Sequence, residues 1–188
     1  MREGSHLFSI AGEEARLTFY AVSRAALIIF VGAIFLPVGI GLAYGVAPEV
    51  MIGLVTSVIV FQALAAVVGL SLKIPPVFLL AVMTSVALTV ILTVFEICDA
   101  FAHRSMRVQG WITKTKVVSE KYHRFKKYGE VALLMIIWIP GIGLYGCVLI
   151  AWIFQWRGVK AIALMLMGWF IASLVVMLAS LGIISIMF

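Results

Sequence analysis

Charge is what this sequence has least of. Only 12% of its 188 residues are charged, and the eight Asp and Glu are outnumbered by fourteen Lys and Arg. Soluble domains carry about a quarter charged residues. With 64% hydrophobic residues and a mean hydropathy of +1.21, the chain reads as an all-α integral membrane protein. Cysteine is nearly absent. Cys98 and Cys147 both fall in apolar runs, where a free thiol serves as a small hydrophobe. Three scattered histidines, His6, His103 and His123, make no metal-ligand spacing. Phosphate loops, GxSxG elbows and HExxH pairs are missing too. No metal, cofactor, catalytic residue, enzyme activity or ATP-driven transport by this chain alone is therefore expected. No short apolar region with a small-residue cleavage site opens the chain, so no cleaved signal peptide is expected.

What is present is hydrocarbon in long blocks. Apolar runs cover about 25–45, 50–72, 77–101, 131–156 and 161–188, each long enough for the roughly 20 residues that a membrane crossing needs. A single membrane domain over 1–188 follows. It comprises a polar N-terminal segment (1–24), a first hairpin and two spans (25–101), a basic segment (102–130), and a second hairpin and last span (131–188).

Positive charges test the topology, because cytoplasmic loops are richer in Lys and Arg. If all five runs cross, the fourteen cations divide eight against six. If the fourth run dips in and returns, the division is ten against four. If the first run also returns, thirteen stand on one side and Lys73 alone on the other. That partition singles out the runs holding FLPVGIGLAYG (35–45) and WIPGIGLYG (138–146). Proline removes a helical donor and glycine tolerates turns, and irregular backbone at membrane depth survives only inside protein or around a wet cavity. The expected fold is about three transmembrane helices plus two Pro-Gly re-entrant hairpins, or five spans if the hairpins cross. An ordinary kinked, close-packed helix is the alternative for each motif.

Between the third and fourth runs, Ile112, Val117, Val118, Tyr122, Phe125 and Tyr128 recur at near-helical spacing among Lys114, Lys116, Lys121, Arg124 and Lys127. This pattern predicts an amphipathic interfacial helix whose cations at 104–127 meet anionic lipid headgroups. The net charge of +6 is explained by orientation, and no nucleic-acid module surrounds it. Glu96 and Asp99 share a helix face at the end of the third run. They are candidates either for proton coupling or for pairing with Arg104 or Arg107. Glu130 opens the second hairpin, where a carboxylate suits a helix N-terminus; proton coupling is its sharper alternative.

AIFLPVGIGLAYGVAPEVMI (33–52) and KYGEVALLMIIWIPGIGLYGCVLIAWIF (127–154) resemble the small multi-drug export protein family of prokaryotic membrane proteins. Members carry a Pro-Gly motif in each half. More distantly the arrangement is similar to the DedA/VTT superfamily, whose paired re-entrant hairpins are associated with lipid flipping or scrambling. The resemblance is most specific over 131–185. It departs at FVGAIFLP (30–37), which has none of the charges the family usually places before its first proline. Ile137 and Gly143 likewise stand where DedA proteins carry arginines. The resemblance implies a multi-pass protein of a prokaryotic plasma membrane.

The functional expectation is a small secondary transporter or lipid and amphiphile translocase. Hairpin tips at Pro37, Gly39, Gly41, Tyr44, Trp138, Pro140, Gly141, Gly143, Tyr145 and Gly146 would line a midplane path for a small amphiphilic or lipid-phosphate substrate. The helix start near Gly143 would favour an anionic group. A homodimer would enclose more volume than one short chain. The alternative is a non-transporting membrane scaffold or assembly factor whose motifs serve packing.

Overall fold

A computed structural model describes residues 20, 22–104, 131–139, 143–156 and 158–187. Their regular structure is helical throughout. α1 is Val22–Ala43, α2 Pro48–Phe61, α3 Ala65–Ser71 and α4 Pro76–Arg104. α5 occupies 131–136, α6 Gly143–Ile153 and α7 Val159–Met187. Four helical stretches are long and apolar enough to cross a membrane: Val22–Ala43, Pro48–Ser71, Pro76–Ala100 and Val159–Gly182. Residues 105–130 of the predicted basic segment, Glu130 among them, lie outside the described residues, as does most of the polar N-terminal segment.

The proline of the first Pro-Gly motif does not turn the chain. α1 runs through Pro37, which follows a π-helical stretch at Phe30–Phe35. There the Leu36 N–H reaches back five residues to the Val31 carbonyl. This widened turn takes up the missing donor and steric clash that a proline brings to a helix interior. The chain turns at Tyr44–Ala47, so of the expected tip residues Pro37, Gly39 and Gly41 lie in continuous helix and Tyr44 stands at the turn.

A further reversal comes where no proline or glycine announces it. Within Pro48–Ser71 the helix stops at Phe61, gives way to a 3₁₀ turn at Gln62–Leu64 and resumes as α3. Gln62 has φ 55° and ψ −127°, a conformation that non-glycine residues rarely adopt. A straight helix of this length would hold its ends about 35 Å apart. Instead both ends lie beside the start of α4. Tyr44, just before α2, packs its ring 4.9 Å from that of Phe78, and Gly69 of α3 lies against Leu79.

Helix directions require the same reversal. Arg24 pairs with Glu96 at 3.3 Å, Gly32 lies against Thr89, and Tyr44 meets Phe78, so α1 and α4 are antiparallel. Gly41 lies against Met51, which makes α2 antiparallel to α1 and hence parallel to α4. α3 is the return path between them.

The second motif does fold the chain back. Cys147 Sγ donates to the Leu133 carbonyl at 3.2 Å, although a continuous helix would separate those residues by about 21 Å. The Gly143 N–H donates to the Ile139 carbonyl at 2.8 Å. α7 then packs across α3, the 62–64 turn, α4 and α6. At Gly168 a Cβ would come within 3.3 Å of the Cα and carbonyl oxygen of Leu134, so α5 lies close against α7.

Three helix ends share one solution. The N–H groups of Val46, Ile74 and Trp156 reach carbonyls five residues back, and those of Gly45, Lys73 and Gln155 reach three residues back. These are Schellman caps, with left-handed φ of 73°, 58° and 57° at Gly45, Lys73 and Gln155. Only the first uses glycine. Lys73→Gly should raise stability by about 1 kcal/mol, the left-handed penalty of an L-residue, less the added freedom of the unfolded chain. A higher thermal midpoint of the detergent-solubilised protein is the check.

Candidate functional site

Reversal at Gln62 leaves the last carbonyls of α2 without helical partners. The Gln62 N–H takes that of Val58. The Ile59 carbonyl accepts the Tyr145 hydroxyl at 2.7 Å. In the other direction, Gln62 Oε1 accepts the Leu144 N–H at 3.2 Å and lies directly over Gly143. The turn of one fold-back is thus tied to the start of α6 in the other by two hydrogen bonds across more than 80 residues of sequence. Gly143 is buried, and Gln62 and Tyr145 are half-buried.

This junction contains only part of the expected tip set. Gly143 and Tyr145 belong to it, and half-buried Gly146 lies on the same turn of α6. Trp138 is 46% exposed. Pro140 and Gly141 lie outside the described residues. The first motif is elsewhere. Met51, which Gly41 touches, precedes Gln62 by roughly 16 Å of helix. Pro37 is buried, Gly39 faces open space and Tyr44 is 70% exposed. Sequence reasoning missed Gln62. Its signal was a lone carboxamide in the middle of the apolar run 50–72, where an amide needs partners.

The first two amides of α6 have protein acceptors. The Gly143 N–H is given to Ile139 and the Leu144 N–H to Gln62. Two of the candidate carboxylates have partners on α1 and α6. Glu96 pairs with Arg24, and Asp99 Oδ1 accepts Trp152 Nε1–H at 3.0 Å. One face of α4 therefore anchors the start of α1 and the end of α6. Because Arg24 is 73% exposed, Arg24→Ala should change stability by less than about 1 kcal/mol. Trp152→Phe leaves Asp99 without that donor and should destabilise more, by about 1–2 kcal/mol. Chemical denaturation of both variants in one detergent compares them.

Beside the junction, α1 and α2 enclose an apolar groove of about 190 Å³. Its α1 wall is drawn from the π-helical stretch and its flanks, and its α2 wall ends at Ile59. Among the described residues, no three His, Cys, Asp or Glu side chains come together as a metal-binding group.

No protein-family model matches the chain, and neither a curated protein nor a solved structure matches it.

Proposed function

We propose that the protein is a small secondary transporter or lipid and amphiphile translocase of a prokaryotic plasma membrane. In this reading α1, α4 and α7 cross the bilayer, while 48–71 and 131–153 are re-entrant. The contact between their turns, Gln62 to Leu144 and Tyr145 to Ile59, carries the proposal. Broken helices meeting between spans are how secondary transporters build midplane sites. One crossing, α4, separates the two fold-backs, so they enter from opposite faces.

The cation count supports this arrangement. Thirteen Lys and Arg fall on the side of the N-terminus and the basic block, and Lys73 alone on the other. This is the partition the sequence favours, reached with 48–71 returning instead of 25–45. Single cysteines in a Cys98→Ala, Cys147→Ser background distinguish the arrangements. Gly45→Cys and Lys73→Cys should label from one face of sealed vesicles, and Arg24→Cys and Lys160→Cys from the other. Labelling of positions 45 and 73 from opposite faces would make 48–71 a true span and overturn the model.

The substrate path would run past the junction, with membrane lipids, including anionic headgroups at 104–127, as the surroundings. Glu96 and Asp99, together with Glu130, are the carboxylates available for proton coupling. A homodimer would extend the enclosed volume. One observation favours the scaffold reading: the Gly143 and Leu144 amides are satisfied by protein acceptors. Variants at the junction separate the two readings. A translocase loses transport while folded and inserted; a scaffold changes only in stability or partner capture.

A further inference from the structure

We infer that the buried face of α7 holds a site for one small uncharged oxygen ligand between the Trp169 indole N–H and the Ser173 hydroxyl. The ligand is a water or the terminal hydroxyl of an amphiphile. Its part in transport rests on the translocase reading; its binding does not.

Trp169 carries the inference. It and Ser173 are each 1% exposed, and neither Trp169 Nε1 nor Ser173 Oγ meets a hydrogen-bond partner among the described residues. Buried polar atoms are nearly always paired, with protein or with ordered water. A helical hydroxyl can turn to its own backbone, and Thr56, Ser57, Thr84, Thr89 and Ser180 each donate to the carbonyl four residues back. Ser173 does not. The indole N–H is a donor only, and it needs an acceptor from elsewhere.

The two atoms belong to one place. Helix α7 is unbroken from Val159 to Met187, so residues 169 and 173 share a face, with Cβ atoms about 5–6 Å apart. A single oxygen making two hydrogen bonds of about 2.8–3.0 Å each spans that separation. Both residues fall near the middle of the Val159–Gly182 span. The preceding residue, Gly168, lies against Ile137, whose carbonyl oxygen is 3.4 Å from the point a Gly143 Cβ would occupy. The site therefore adjoins the contact between the two fold-backs. Thr93 Oγ1 is also buried without a partner. It stands one turn after Thr89, which lies against Gly32 of α1, and is not counted with this pair.

Charge excludes an ion, and burial limits size. α7 packs against α3, the 62–64 turn, α4, α5 and α6. Residues 50–72, 76–95, 131–156 and 161–188 contain no Asp, Glu, Lys, Arg or His. An ion there would lack a counter-charge, which is strongly disfavoured away from water.

Solid-state NMR of the full chain, labelled with nitrogen-15 at tryptophan and held in proteoliposomes, tests this. The Trp169 indole resonance, identified by its loss in Trp169→Phe, should show a cross-peak to bound water. Ser173→Ala should shift that resonance and shorten the water's residence about fivefold, the factor one ordinary hydrogen bond carries. The Trp152 indole, which Asp99 accepts, should not respond. Hexanol is the second probe. A cross-peak from its C1 protons in place of water assigns the site to an amphiphile's hydroxyl, and retention of the water peak assigns it to water; each is an occupied site. No cross-peak from either probe in the parent protein, or a Trp169 signal indifferent to Ser173→Ala, overturns the inference. Movement of fluorescent lipid in the same vesicles is read separately. A parent protein that moves none removes the transport reading and leaves the site standing.

Discussion

Gly143→Ala should separate the two fold-backs at their point of contact. A single added methyl would occupy the space of Gln62 Oε1, and the side chain cannot retreat without giving up the Leu144 N–H. Gln62→Leu removes the same acceptor from the other side. Each change leaves an amide unpaired in an apolar setting and should cost about 1–3 kcal/mol. Because both act on one contact, the double variant should be little worse than either single one, a non-additivity that a double-mutant cycle measures. On the proposed translocase reading, transport should fall about tenfold for each 1.4 kcal/mol of lost positioning, with insertion unchanged. Additive effects in the cycle would show that the two turns are energetically independent.

Gly168→Leu should have the largest effect on stability. At most crowded glycines the nearest atoms belong to side chains that can rotate, such as Met51 opposite Gly41 and Leu79 opposite Gly69. At Gly168 two of the three nearest atoms, at 3.3 Å, are backbone atoms of Leu134, and the third is Ile137 Cγ2 at 2.9 Å. Backbone held in helix cannot yield without moving α5 away from α7, so overpacking should cost roughly 2–3 kcal/mol. Gly39→Leu and Gly182→Leu are the controls. Neither site has an atom within 4 Å of an added Cβ, and both should stay within about 0.5 kcal/mol of the parent. Thermal unfolding of all three in one detergent ranks them. A Gly39 variant as damaging as Gly168→Leu would mean that α1 packs differently in the membrane.

These two results would divide a motif that looks uniform in sequence. FLPVGIGLAYG and WIPGIGLYG share their prolines and glycines, yet in the first the proline stays within a helix and the chain turns only at the closing Tyr44–Gly45. In the first, a π-helical turn just upstream absorbs Pro37, and Gly41 serves close contact with Met51. The same residue types support a kink-tolerant helix, a helix contact or a turn, and local propensity does not choose among them. Gln62 is the converse case. Nothing in its immediate neighbours breaks a helix, and its left-handed backbone is held by partners more than 80 residues away.

The sequence by itself determined the helical membrane class, because a chain this poor in charge cannot present a soluble surface. It also favoured a topology: gathering thirteen cations on one side of a bilayer calls for two of the five runs to return. Where the chain doubles back was decided only by tertiary structure. The α1–α4 contacts set helix direction, and parallel α2 and α4 can be joined by a short turn only if the chain doubles back between them. Likewise the sequence marked Gly143 and Tyr145 as candidates, but their partner emerged from the packing of two distant turns. Composition counts charges and apolar length one segment at a time. A hydrogen bond between segments depends on where both chains have already been placed.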